Sequence, residues 1–439
     1  MSAETPPPAD PALSRFIPLT RQAVIADLCQ DPAMAGERPA FAELALHLQR
    51  HRSHGYRALA DEMRRCYLPF SPDRDTKRVQ TFSAAETGAM KEKLSTLTTH
   101  LLERANYNPI DTETLNVLLN EKSPYSLHIS VDLAEYDELL IFRRETYSRT
   151  HTVRNSQTFF LKRSYETRNY RRLFILLKLK PEADRAAELA STQNLSHAKA
   201  LKMVRKRRKQ LPTGTSSDFI YMKVFKDIPE HDLEMLFPLR EVAFRPFDKM
   251  KFYATAGGGT AFGIFSTTGK ILAATNPFTA VGALIGFGGL LARQIATFFN
   301  QHTRYMMELS QRLFFHNLAN NRAALMLLLD RAEEEDVKED LIALYFHAGT
   351  RVATQELAGR KARIDEIIEA RYGIAVDFEL HDALSRLKAD GAVRSEGDTL
   401  VFATLAEAAE IYARLVTGDD RDDARHMCDP APVLEPAEV

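Results

Sequence analysis

Between Phe252 and Phe299 the chain almost loses its charge. No charged residue falls between Phe252 and Gly269, and after Lys270 none falls between Ile271 and Leu291. A helix of about 20 mainly apolar residues is long enough to cross a bilayer. Two such runs stand back to back, with Asn276-Pro277 as a turn signal between them. Together they predict a transmembrane helical hairpin over residues 252–299. Gly259 and Gly263 in the first arm, and Gly282 and Gly286 in the second, have the spacing that lets helices approach closely. They are the candidate packing residues of the hairpin, and of a homo-oligomer formed through it. The competing reading is a hairpin buried in a soluble core. Lys270 can snorkel to the far interface, while Arg245, Lys249, Lys251, Arg293 and Arg304 flank the near ends. This puts the flanking parts on one, cytoplasmic side of a bacterial inner membrane, or of a mitochondrial membrane if the source is eukaryotic.

A chain of 439 residues accommodates about three domains. The fold class expected is an α+β multi-domain membrane protein. Residues 1–14, rich in proline, read as disordered, and 15–120 as a helical domain. In it Thr20 is the N-cap of a helix over Gln22 to Cys29, and further helices cover Phe41–Arg52, Tyr56–Cys66, Ser83–Asn106 and Asp111–Leu119. Residues 121–250 read as a small α+β domain. Its strand candidates are Leu127–Val131, Glu138–Thr146, Thr158–Arg163, Arg172–Leu179 and Phe219–Phe225, and it holds a basic helix over Ala186–Lys209. Residues 300–350 read as a long helical segment, 351–417 as a winged-helix-like module and 418–439 as a disordered tail. In the module, the helix Glu379–Asp390 has no positive surplus, which predicts packing on protein and not on DNA.

The formal net charge is −1, but its distribution is uneven. Arg143 to Lys209 holds 19 lysines and arginines against 5 acids, ending in Arg205, Lys206, Arg207, Arg208 and Lys209. Tyr147, Phe159, Phe160, Tyr165 and Tyr170 are interleaved with these cations. Three readings compete: a solvated face over a sheet core, a surface for anionic lipid, and a stacking surface for RNA. Asp330 to Asp340 carries seven acids, expected to face this basic region or solvent. Cys29, Cys66 and Cys428 have no metal-ligand spacing and suit a reducing compartment. The N-terminus has neither the apolar core of a secretory signal nor the arginines of a transit peptide.

No residue set stands out as catalytic. Asp73-Arg74-Asp75 reads as a turn with a surface ion pair as readily as an acid/base pair. His231, Asp232 and Glu234 suit the first turn of a helix, where acids complement its dipole. His316, Asn317, Asn320 and Asn321 suggest a buried polar network on a helix. Glu335 and Glu339 share a helix face without the Glu-x-x-His that a carboxylate-bridged metal site needs. No glycine loop for phosphate and no nucleophile elbow appears, so neither cofactor nor metal is expected.

Several local patterns together carry a resemblance. They are Arg15-Phe16-Ile17-Pro18-Leu19-Thr20-Arg21, Pro69-Phe70-Ser71-Pro72-Asp73, Phe225-Lys226-Asp227-Ile228-Pro229 with Leu233-Glu234-Met235-Leu236, and Asp377-Phe378-Glu379 with Asp382-Ala383-Leu384. In these the chain resembles the domain-of-unknown-function 3754 family, in its transmembrane protein 143-like form. The resemblance implies two membrane spans and no activity. The function expected is a non-enzymatic membrane-anchored scaffold or adaptor that binds a protein partner or an anionic lipid surface. A hydrolase or transferase, with its site between the helical and sheet domains, and an RNA-binding protein tethered to the membrane are the alternatives.

Overall fold

The computed structural model describes residues 14–73, 81–120, 127–154, 162–244 and 314–426. The expected hairpin, with Gly259, Gly263, Gly282 and Gly286, lies outside them. Thr20 caps helix α1 (Arg21–Gln30), its hydroxyl accepting from Ala23 N at 3.2 Å. Helix α2 then runs unbroken over Arg38–Tyr67, where the sequence pattern predicts two helices. Gly55 in its middle costs only about 1 kcal/mol, and the buried stripe Leu44, Leu48, Arg52, Tyr56, Ala60 and Met63 continues across it. Helix α3 (Ala84–Arg104) opens on a capping box: Ser83 Oγ accepts from Glu86 N, and Glu86 accepts from Ser83 N. Ser83→Ala should therefore lower stability by about 1 kcal/mol. A urea midpoint indistinguishable from the parent would show that the box contributes nothing.

Strand β1 (Asn108–Pro109) and helix α4 (Thr112–Asn120) lead to β2 (Leu127–Val131). Two long strands follow, β3 (Tyr136–Arg154) and β4 (Lys162–Leu179). The sequence pattern breaks β4 into separate strands, because its polar outer half reads as loop. After β4 come helices α5 (Glu182–Gln193) and α6 (His197–Arg208). They replace the single basic helix expected over Ala186–Lys209; Asn194 turns left-handed at φ 51° and ends α5. Strand β5 (Ile220–Pro229) runs into a short 3₁₀ helix, Glu230–Leu236, and β6 (Arg240–Phe244) pairs with β2. Strand β7 (Asn317–Asn320) stands where helix is expected, and helix α7 (Asn321–His347) follows it.

The main sheet is antiparallel in the order β1-β3-β4-β5-β7. Alternation along β4 sends Phe174 and Leu176 to one face, under α2, α3 and the first half of α7. Leu173, Ile175, Leu177 and Leu179 go to the other, under α4 and the 3₁₀ helix. The second half of α7 enters another core, shared with α1, the first half of α2 and the C-terminal elements. These are β8 (Arg351–Ala353), α8 (Leu357–Tyr372), α9 (Leu380–Ala389), β9 (Val393–Glu396), β10 (Thr399–Phe402) and α10 (Leu405–His426). Their sheet has the order β8-β10-β9. Helix α10 continues to His426, into the stretch expected to be a disordered tail.

The expected membrane fold class is corrected here. Among the described residues no helix is long and apolar enough to cross a membrane. The longest ones are interrupted by charge: α7 carries seven acids between Asp330 and Asp340. What is described is an α+β chain of packed helices and antiparallel sheets.

Candidate functional site

Four of the seven acids of α7 face neither solvent nor the basic region, while Asp330 is exposed. Glu335, Asp336 and Asp340 are fully buried, and Glu339 is 2% exposed. Each meets a cation or donor from a distant element. Arg386 of α9 reaches Asp336 at 3.1 Å, Glu339 at 2.8 Å and Asp340 at 2.9 Å. Arg52 of α2 pairs with Asp340 at 2.8 Å and also with Asp390. Arg104 of α3 pairs with Asp336, which also accepts from Tyr56 Oη at 2.8 Å. Tyr412 of α10 donates to Asp390 at 2.7 Å, and Asn106 to Glu339 at 3.2 Å.

The same helix holds the N-terminal segment. Ile17 N donates to Glu335 at 3.2 Å, while Lys338 Nζ donates to the carbonyls of Ile17 and Leu19. Arg144 of β3 stacks over the Phe16 ring at 3.8 Å. The motif Arg15–Arg21 is thus a strap across buried charge. Burial first, then repulsion by Asp336 and Glu335, raises the Glu339 carboxyl to about 8 against the pull of Arg386. Glu335 and Asp340 are also raised, chiefly by burial. Arg386 and Arg52 stay charged, since the carboxylates outweigh what burial takes from them.

The basic tract behaves differently. It is not one patch. Helices α5 and α6 sit at the Leu179 end of β4, and the basic residues before Arg168 at the Lys162 end. At about 3.3 Å per residue, β4 separates them by roughly 50 Å. Helices α5 and α6 form a separate antiparallel pair around a small core of Ala186, Leu189, Ala200 and Val204. Arginines fix this pair to the sheet. Arg185 donates to Asp132 at 2.6 Å and Glu135 at 3.1 Å, and Arg207 to the same two acids at 3.1 and 3.3 Å. Arg208 donates to the Lys180 carbonyl at 2.7 Å, and Arg205 pairs with Glu182 at 3.1 Å.

With the arginines of α6 so engaged, its lysines point the other way. Lys199, Lys202, Lys206 and Lys209 recur at i, i+3, i+7 and i+10, which is one helix face, and all four are exposed. That face is opposite Ala200 and Val204. None of the four meets a carboxylate among the described residues. The division follows the chemistry of the two side chains. Guanidinium forks suit buried paired geometry, and the strongly hydrated ammonium suits an open surface. The sequence pattern names Arg205, Lys206, Arg207, Arg208 and Lys209 alike as basic surface. Only Lys206 and Lys209 of these belong to the stripe; Lys199 and Lys202 were missed, although the i, i+3, i+7 spacing marks them.

Of the tract's aromatics, two have described side chains, and neither offers a stacking face. Tyr170 and Tyr147 are buried, their hydroxyls bonded to Glu230 at 2.6 Å and Asp227 at 3.2 Å. The side chain of Tyr165 and residues Phe159 and Phe160 lie outside what is described.

The other candidates are scattered. Asp73 accepts from Asn321 Nδ2 at 3.0 Å, and Asn321 Oδ1 accepts from Met222 N at the start of β5. Asp227 lies five residues further along β5, about 16 Å away. Asp75 is outside the described residues. His231 approaches Asp232 at 3.6 Å. Glu234 is buried beside Asp232, and burial first, then that neighbouring charge, raises it to about 7. A cleft of about 100 Å³ lies beside the α6 arginines, lined by Asp132, Glu135, Arg207 and Arg240 among others. Asp73, Asp227 and His231 do not line it. His316 Nδ1 is 2.7 Å from the Lys226 carbonyl, and Asn317 and Asn320 belong to β7. Among the described residues no three His, Cys, Asp or Glu side chains are grouped to hold a metal ion.

No solved structure matches the chain. A family model described as "Protein of unknown function (DUF3754)" matches residues 170–323, from the inner half of β4 to the start of α7, and over that segment the chain is similar to the DUF3754 family.

Proposed function

We propose that the protein is a non-catalytic docking protein that settles on an anionic lipid surface through the lysine face of α6. The observation that supports this reading is the stripe itself. Four exposed lysines share one face with no counter-carboxylate among the described residues, while the neighbouring arginines bind the helix to its own sheet. A straight row about 15 Å long presents charge to a plane. The last-turn cations also complement the helix dipole.

Near an anionic bilayer each basic residue contributes roughly 1 kcal/mol. Replacing Lys199, Lys202, Lys206 and Lys209 together by glutamate should therefore weaken association with phosphatidylglycerol vesicles on the order of a hundredfold or more. Association with phosphatidylcholine vesicles should not change. The two partition coefficients, measured by vesicle flotation at low and at moderate salt, test it. Equal partition of parent and variant into the anionic vesicles would overturn the reading.

A further inference from the structure

Three cations of the main sheet stand in one line. On the face that carries Phe142, Phe174 and Val224, the next transverse row toward the Lys162 end of β4 holds Arg144, Arg172 and Lys226. Arg144 is directly opposite Arg172, and Arg172 directly opposite Lys226. Strands lie about 4.8 Å apart, so the row spans roughly 10 Å. Like charges placed directly opposite one another are destabilising. Among the described residues no carboxylate pairs with any of the three. Arg144 is 5% exposed, yet its Nε has no hydrogen-bond partner and its Nη1 reaches only the Ala105 carbonyl, at 3.4 Å. Arg172 donates to the Arg171 carbonyl at 2.7 Å. Burial first, then the Arg144 charge, lowers the Arg172 guanidinium from its ordinary value.

The surroundings hold the row in place and leave it charged. The Arg144 guanidinium lies 3.8 Å from the Phe16 ring centre and 5.1 Å from that of Tyr107. Two rings fix a guanidinium plane but take up none of its in-plane donors. The acids that act on Arg172, Asp227 and Glu145, belong to the next row outward. There Arg171 pairs with Glu145 at 2.9 Å, and Tyr147 Oη donates to Asp227 at 3.2 Å. Glu145 and Asp227 both have positive φ, 54° and 53°, unfavourable by about 1 kcal/mol or more for a side-chain-bearing residue. The pleat inverts at this point: Tyr170 and Leu173, three residues apart, enter the same core, as do Ile228 and Phe225. The inversion keeps both acids out of ion-pair reach of the three cations. Glu335, which feels Arg144, is paired with Lys338 at 2.5 Å.

Stacking accounts for Arg144 alone. It gives no reason for Arg172 and Lys226 beside it, both half-buried. A bound oxyanion does. A terminal phosphate carries close to two negative charges and three strong acceptor oxygens, enough to take the fork of an arginine and the ammonium of a lysine together. A carboxylate, with one charge and two oxygens, leaves the row positive. We propose that the row Arg144, Arg172 and Lys226 binds the terminal phosphate of a small molecule, with Arg172 and Lys226 touching it and Arg144 as the buried charge behind them. The site lies about 23 Å along β4 from the α5–α6 pair. It is distinct from the lysine face of α6 and does not depend on it.

The test is the thermal midpoint of the full-length protein in inorganic phosphate, glycerol 3-phosphate, acetate and chloride at matched ionic strength. Both phosphates are expected to raise it by about 2 °C or more over chloride, and acetate by less. Arg172→Gln combined with Lys226→Gln should abolish the phosphate response. In chloride this variant should be no less stable than the parent, because facing like charges are removed; a purely structural row predicts a loss instead. If the double variant does not fold, Lys226→Gln alone decides by the same comparison. Flotation with phosphatidic acid vesicles, in a protein whose four α6 lysines are replaced by glutamate, separates the sources of the phosphate. Binding that Arg172→Gln removes assigns it to a lipid headgroup; no binding, beside a response to glycerol 3-phosphate, assigns it to a free ligand. A midpoint that phosphate does not raise, or a response that survives in the variant, would overturn the site. An equal rise in acetate would overturn the choice of phosphate.

Discussion

Arg386→Leu is expected to lower the stability of the fold by about 3–5 kcal/mol, the usual consequence of removing one member of a buried ion pair. Arg386 faces three carboxylates, Asp336, Glu339 and Asp340. Its loss leaves acids on α7 buried with fewer cations than charges. Protonation can relieve part of this, since Glu339 already favours its neutral form. Urea unfolding of parent and variant measures the difference. A loss of under about 1 kcal/mol would mean that the cluster behaves like exposed ion pairs. Adding Asp340→Leu to the variant should recover part of the loss, because it removes one of the orphaned charges. Asp340 also binds Arg52, so recovery will be incomplete.

The second large effect concerns pH. Glu339 is raised in the folded protein from an ordinary value near 4.5 to about 8. The native state therefore binds a proton that the unfolded chain has released. Stability contributed by this group is full below pH 4.5 and is lost as pH rises through about 8. Glu234, raised to about 7, acts in the same direction. Asp390 is lowered: burial opposes its charge, but His51, Arg52 and Tyr412 favour it more strongly. Its stabilisation is complete above the ordinary aspartate value and lost only in acid. His347 is lowered, chiefly by burial, and so loses stability as pH falls below its ordinary 6.5. The thermal midpoint should thus fall clearly between pH 6 and pH 9. Glu339→Gln keeps the shape and cannot ionise. It should flatten that fall and leave the variant more stable than the parent at pH 9. A midpoint that rises with pH over this range, or an unchanged slope in the variant, would contradict the assignment.

Local signals carried much of the helical fold. Thr20 announces α1, and Ser83 with Glu86 announces α3. What the sequence concealed was burial of charge. Seven acids in eleven residues read as a solvated face, because their cations lie elsewhere: Arg52 is 288 residues from Asp340, and Arg386 is 46. Only tertiary proximity makes Asp340 a core residue. The break between α5 and α6 was also hidden, since Asn194 in a left-handed turn looks like any helical asparagine. The outer half of β4 was lost to its polarity; Ser164, Glu166 and Thr167 suit a loop as well as a ribbon. For the basic surface the composition was legible, but its division was not. Arg207 and Arg208 turn inward because Asp132 and Glu135 stand at the end of β2 and the start of β3, about 70 residues earlier in sequence.

The buried network also imposes a calendar on synthesis. Arg52 must wait for Asp390, 338 residues later. At ordinary elongation rates of 5–20 residues per second that is roughly half a minute. During this interval α2 and α3 exist without the acids that neutralise Arg52 and Arg104, and without the helices that cover their apolar faces. The cores around α1, α2 and α3 cannot close while only the first two hundred residues have emerged. The fold is sealed late, when α9 and α10 arrive to meet α7 and α2. Until then the nascent chain exposes apolar surfaces of the kind a holding chaperone recognises.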